Sequence, residues 1–124
     1  MKLEKIKQTY DLILSMGYNC QSALRLRDQR IRSFAGPVDW VISNSVPQLA
    51  RQIENRFSDY MKLENLKIIG SVYGHYSAED TATGILSFHD FPVSSNGARQ
   101  ITNYSGFRER LDRRIERFYQ AART

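Results

Sequence analysis

The apolar positions fall into short runs and helical stripes. Tyr10-Asp11-Leu12-Ile13-Leu14-Ser15-Met16 is a short apolar run stopped by Gly17, and its length predicts a buried strand. Past the glycine the period changes. Cys20, Ala23, Leu24, Arg27 and Ile31 recur at spacings of three and four, which predicts an amphipathic helix over 20–31. Asn19 is placed to cap it, because an Asn side-chain oxygen accepts from an unpaired amide of the first turn. Phe34-Ala35-Gly36-Pro37-Val38-Asp39-Trp40 then reads as a turn leading into an aromatic and an acid.

Ser45 predicts a second N-cap, with Pro47 in the first turn and Leu49, Ile53 and Phe57 spaced by four. That helix is expected to end near Ser58 or Asp59. Leu66, Ile68, Ile69, Val72, Tyr73 and Tyr76, set around Gly70 and Gly74, predict strands joined by a tight connection. Residues 84–91 read as a strand running into a loop at Pro92, and 93–103 as loop. Ser105 is the expected cap of a last helix, whose stripe is Phe107, Leu111, Ile115 and Phe118. The order strand, helix, helix, strands, helix predicts an α+β or mixed α/β domain. No repeat, low-complexity stretch or linker interrupts it, so 1–124 is expected to be a single domain.

Composition narrows the class. Apolar residues make up 41% and charged residues 25%, as in an ordinary globular chain. No run approaches a membrane span, and Leu12-Ile13-Leu14 is too short for a signal-peptide core. The single cysteine cannot form an internal disulfide, and a cytoplasmic location is expected. Eighteen Lys plus Arg against thirteen Asp plus Glu give +5. The excess sits on two helices, with Arg25, Arg27, Arg30 and Arg32 on one and seven arginines over residues 99–124 on the other. Such arginines either form a solvated face or meet an acidic partner.

Cys20 is the first candidate for chemistry. A helix N-terminus favours the thiolate and offers amides to an oxyanion; the alternative is a small packing residue. His89, 69 residues later near the end of the last strand, is the candidate base, while His75 reads as a turn residue. Asp90 and Asp39 are both candidates to orient it. If 85–90 were one regular strand, Asp90 would face away from the side that His89 faces. No metal-ligand spacing, phosphate loop, GxGxxG or Gly-x-Ser-x-Gly elbow is present, and no RNA-binding signature interleaves the arginines. No cofactor, metal, membrane or nucleic-acid partner is expected.

Four segments then occur in a specific order: Met16-Gly17-Tyr18-Asn19-Cys20-Gln21-Ser22-Ala23, Gly36-Pro37-Val38-Asp39-Trp40, Phe88-His89-Asp90-Phe91-Pro92 and Arg113-Arg114-Ile115-Glu116-Arg117-Phe118. Together they resemble a bacterial family described as papain-like cysteine peptidases, a domain of unknown function. The resemblance runs from about residue 10 to 119. It implies a papain-like α+β domain, a mixed sheet with a nucleophile-bearing helix. Cys20 would be the nucleophile, His89 the base and later acid, and Asp90 or Asp39 the orienting group. Asn19 or the Cys20 amide, with Gln21 beside them, would serve the oxyanion. A peptide or other acyl compound is the implied substrate, and hydrolysis and acyl transfer both fit a thioester intermediate.

Two departures accompany the resemblance. The family's Pro-Phe-Asp-Trp reads Pro-Val-Asp-Trp here. Its members also continue past the Arg113–Phe118 helix, which raises the expectation of a domain truncated at its C-terminus. Edges unpaired by such a loss would favour a homo-oligomer. The alternative function is a non-catalytic basic module that keeps the fold and binds an acidic partner.

Overall fold

Ser45 sets the first clear boundary, because its Oγ accepts from the Gln48 amide at 3.2 Å and so satisfies an otherwise unpaired first-turn donor. In the computed structural model, which describes residues 13–16, 20–30 and 34–122, this cap opens the second of three helices. The elements in chain order are α1 (Cys20–Asp28), β1 (Val41–Ile42), α2 (Val46–Glu54), a 3₁₀ turn (Leu63–Asn65), β2 (Leu66–Val72), β3 (His75–Asp80), β4 (Ile85–Ser87) and α3 (Tyr104–Ala122). The four strands form one antiparallel sheet in the order β1-β4-β3-β2. The architecture is α+β, as the element order predicted, but the described sheet is wholly antiparallel rather than mixed, because the short connections from β2 to β3 and from β3 to β4 allow only antiparallel pairing.

Tyr73 and Gly74 connect β2 to β3 with φ of 50° and 83°, the pair of positive values that matches a two-residue turn to strand twist. Gly74 supplies one of them without steric cost. The register slips between Ile68 and Gly70, so the edge strand β2 carries a bulge. His75 opens β3 opposite Val72, beside the turn where the sequence placed it, and also bridges to Pro92.

Four boundaries differ from the sequence expectations. Residues 13–16 take no part in the sheet, although Ser15 is buried; Tyr10–Leu12 and Gly17 lie outside the described residues, as does the proposed cap Asn19. A short apolar run marks burial without deciding its backbone. α1 stops at Asp28 rather than 31, where the Arg30 amide bonds to the Arg27 carbonyl and Arg30 turns left-handed at φ 56°. α2 stops at Glu54 rather than 58, because Arg56 and Phe57 both take φ 58°. Such backbone costs about 1–2 kcal/mol per residue, and full burial of a Phe side chain returns a similar amount. Phe57 is only 2% exposed. Finally, α3 starts at Tyr104, with the Phe107 amide bonded to the Asn103 carbonyl, so Ser105 lies inside the helix.

The core joins the sheet to α3. Ile85, Ala78 and Tyr76 meet Phe107 and Leu111 of the predicted stripe, and Phe91 stacks edge-on against Phe107 at 4.7 Å. Between α2 and β2 the chain turns a corner at Tyr60 and Met61, both 1% exposed, with Met61 at φ 55°. Polar groups hold that corner. The Met61 amide donates to Asp80 Oδ2 at 2.8 Å, the Tyr104 hydroxyl to the Met61 carbonyl at 2.9 Å and Arg108 Nη1 to the Tyr60 carbonyl at 2.6 Å. Asp80, fully buried, also accepts from Thr83 Oγ1 at 2.9 Å and from the Ala82 amide at 3.1 Å.

Two predictions follow from the corner. Asp80→Ala strands three donors, each worth about 1–3 kcal/mol when left unsatisfied. Urea unfolding is expected to show a loss of at least about 3 kcal/mol, and a loss below about 1 kcal/mol would contradict this role. Tyr60 gives a pH signature. Burial, then the charges of Asp90 and Asp80, push its phenol far above its ordinary value. The unfolded chain therefore ionises first. The Tyr60 contribution is whole below pH of about 10 and declines above it by about 1.4 kcal/mol per pH unit. Tyr60→Phe loses the hydroxyl's bond to the Pro37 carbonyl, about 0.5–1.5 kcal/mol at neutral pH, but its stability is expected to fall less steeply between pH 10 and 12. Parallel alkaline limbs in the two proteins would refute the assignment.

Candidate active site

The loop before β1 is built around a buried acid. Asp39 is fully buried, and its Oδ2 accepts from the Gly36 amide at 2.9 Å, closing a tight loop. A Cβ at Gly36 would stand 3.2 Å from Asp39 Oδ1 and 3.3 Å from Leu14 Cδ1, so any larger residue there obliges both side chains to give way slightly. The Tyr60 hydroxyl donates to the Pro37 carbonyl at 3.2 Å and ties this loop to the corner. Trp40 faces the first helix, with the Arg27 guanidinium 5.8 Å from its ring centre, within cation–π range. The Val38 of the Pro-Val-Asp-Trp segment is buried in the core, so the departure from phenylalanine falls on a packing position.

α1 begins at Cys20, where periodicity and the turn residues put it. Gln21 is exposed on the first turn. β4 ends at Ser87, before either His89 or Asp90, and residues 88–90 leave the sheet as bends. The alternation that would have separated His89 from Asp90 along a regular strand therefore does not apply. The two still occupy different surroundings. His89 is exposed, and none of the described hydrogen bonds or ion pairs involves its ring. Asp90 is half-buried, and the Ser87 hydroxyl donates to its Oδ2 at 2.6 Å.

Asp90 lines a cavity of about 10 Å³, room for roughly one water, together with Pro37, Trp40, Tyr60 and Arg114. Arg114 is half-buried there. Burial holds its guanidinium below the ordinary arginine range, Asp90 opposes that shift, and Arg110 and Arg117 reinforce it. The Asp90 carbonyl accepts from Asn103 Nδ2 at 2.8 Å. The segment carrying His89 is thus fixed from three sides, by Ser87, by the start of α3 and by the field of Arg114. The geometry brings the Pro37–Trp40 loop and Asp90 to one cavity. Each candidate acid has a partner other than His89, the Gly36 amide for Asp39 and the Ser87 hydroxyl for Asp90.

Arg114, Ser87 and Asn103 were not singled out as individual site residues from sequence. Arg114 had a signal: it stands seven residues after Phe107 and three after Leu111, so it shares the apolar face of α3. Weighing the arginines of that helix only as a solvated face or as a surface for an acidic partner hid it. Ser87 and Asn103 carry no signal that a single sequence reveals, because their partners lie across loops. Among the described residues no group of three His, Cys, Asp or Glu gathers as a metal site, and no helix is long and apolar enough to cross a membrane.

No curated protein and no solved structure matches the chain. One protein-family model does, over residues 11–124, and its description reads "Putative papain-like cysteine peptidase". That span takes in the cysteine-led helix, the Pro-Val-Asp-Trp loop, the His-Asp segment and the arginine helix. The chain belongs to the family of papain-like cysteine peptidases so described.

Proposed function

We propose that the protein is a thiol hydrolase of peptide or other amide bonds, working through Cys20, His89 and an orienting aspartate on a papain-like domain. The observation that carries this reading is the position of Cys20 as the first residue of α1, in a chain of this family. Helix-start amides and the aligned peptide dipoles favour a thiolate there and supply donors for an oxyanion.

In the proposed cycle, His89 takes the Cys20 proton and the thiolate attacks the substrate carbonyl. The carbonyl oxygen, now negative, lies against the Cys20 amide, with Asn19 and Gln21 beside it. Collapse of the tetrahedral adduct breaks the C–N bond, and the imidazolium gives its proton to the leaving amine. Water then attacks the thioester, His89 accepts a proton from it, and the carboxylate departs as the thiol re-forms. An amine in place of water would give acyl transfer through the same intermediate.

Of the two acids, Asp90 turns toward the cavity with Arg114 while His89 is exposed. Asp90 is assigned to hold the backbone beneath His89, and Asp39 to orient the imidazole.

The test is the rate of Cys20 alkylation by iodoacetamide against pH. The native protein is expected to react fast down to pH of about 5–6, and His89→Ala to revert to a thiol titrating near about 8.5. Asp39→Asn is expected to slow the neutral-pH rate while Asp90→Asn, if it stays folded, leaves it less affected. A thiol that is inert, or that titrates near its free value whatever occupies position 89, would refute the enzyme reading. A larger effect at Asp90 than at Asp39 would reverse the assignment of the acids.

A further inference from the structure

We propose that the side of α3 formed by Arg110, Arg113, Arg114 and Arg117 is a docking face for an acidic polypeptide segment, one rich in Asp and Glu. The four stand at i, i+3, i+4 and i+7 and so share one side of the helix. Glu109 and Glu116 stand four residues before and three after Arg113, at the edge of this side, and Asp112 falls on the opposite one. Arg110, Arg113 and Arg117 are exposed and Arg114 is half-buried. Among the described residues none of the four forms an ion pair, whereas Arg108, two residues earlier, is held by Asp112 at 2.8 Å.

Like charges at these spacings weaken a helix, and four such neighbouring pairs occur here. At Arg114, burial lowers the guanidinium pKa, Asp90 opposes that shift, and the neighbouring Arg110 and Arg117 add to it. A stripe of guanidinium groups without ion pairs among the described residues is suited to carboxylates, which match the planar fork in bidentate fashion. The surroundings of the stripe favour a polypeptide over a single-stranded nucleic acid. Base stacking needs open aromatic platforms, and two rings beside the stripe already carry guanidinium groups: Arg117 lies 5.8 Å from the centre of Phe34, and Arg27 lies 5.8 Å from that of Trp40. The face works by charge and needs no covalent step at Cys20, although Arg114 also lines the cavity beside Asp90.

Fluorescence anisotropy with labelled decaglutamate at low salt tests it, with decathymidylate as the competing class. The full chain is expected to bind decaglutamate, more weakly as salt rises. The triple variant R110Q/R113Q/R117Q is expected to bind about tenfold more weakly, and R25Q/R51Q/K67Q, with the same net charge, less than about threefold more weakly. Cys20→Ala is expected to bind as the unaltered chain does. If the triple variant fails to fold, Arg113→Gln alone decides, with an expected weakening of about twofold. Absent binding, equal losses in the two triple variants, tighter binding of decathymidylate, or dependence on Cys20 would each overturn the proposal.

Discussion

The buried carboxylate of Asp80 is the constraint on which the rest of this structure rests. It ends β3, accepts from the Met61 amide on one side and closes the 81–84 turn into β4 on the other. A left-handed residue in a buried corner is unfavourable by itself, and Met61 is held in that conformation because its amide points at a charged acceptor. Once the corner is fixed, its two carbonyls are presented to Tyr104 and Arg108, which sets where α3 lies on the sheet. The same corner aims the Tyr60 hydroxyl at Pro37 and so positions the loop that carries Asp39 and Trp40. One acid therefore couples the sheet, the last helix and the loop beside the candidate site.

From that frame the electrostatics of α3 divide into distinct sides. Its apolar arc packs on Phe91 and the sheet, and at the edge of that arc Arg114 meets the cavity lined by Asp90. Ser87 and Asn103 grip Asp90 by side chain and backbone respectively, so the short segment bearing His89 is more constrained than its exposure suggests. A base must be held in place to act on a thiol, and rigid support behind an exposed residue provides that. Arg110, Arg113 and Arg117 are exposed, and none of them forms an ion pair among the described residues.

What the sequence made legible was mostly local. The Ser45 cap, the positive-φ turn at Gly74, the stripe from Phe107 to Phe118 and the start of α1 at Cys20 each follow from side chains near in sequence. The misreadings occur where tertiary contacts overrule local preference. Phe57 fits a helical spacing of four, yet reaches the core only after two left-handed residues end the helix early. The run at 13–16 has a strand's composition without a partner in the sheet. The strand before His89 stops two residues short, which removed an argument about facing directions that regular alternation would have supported. Asp39 and Asp90 both stood as candidate acids in the sequence, and their surroundings were not legible there, because Arg114 reaches the cavity beside Asp90 from a distant part of the chain.

The central claim is that Cys20, at the head of α1, and His89, just past β4, form one site. A short bifunctional alkylating reagent such as dibromoacetone tests their proximity, since its three-carbon bridge joins a thiol and an imidazole only when the two side chains adjoin. After one equivalent of reagent and proteolysis, mass spectrometry is predicted to find residues 20 and 89 in a single cross-linked peptide pair. Cys20 modified through one arm alone, or joined to His75 instead, would contradict the account.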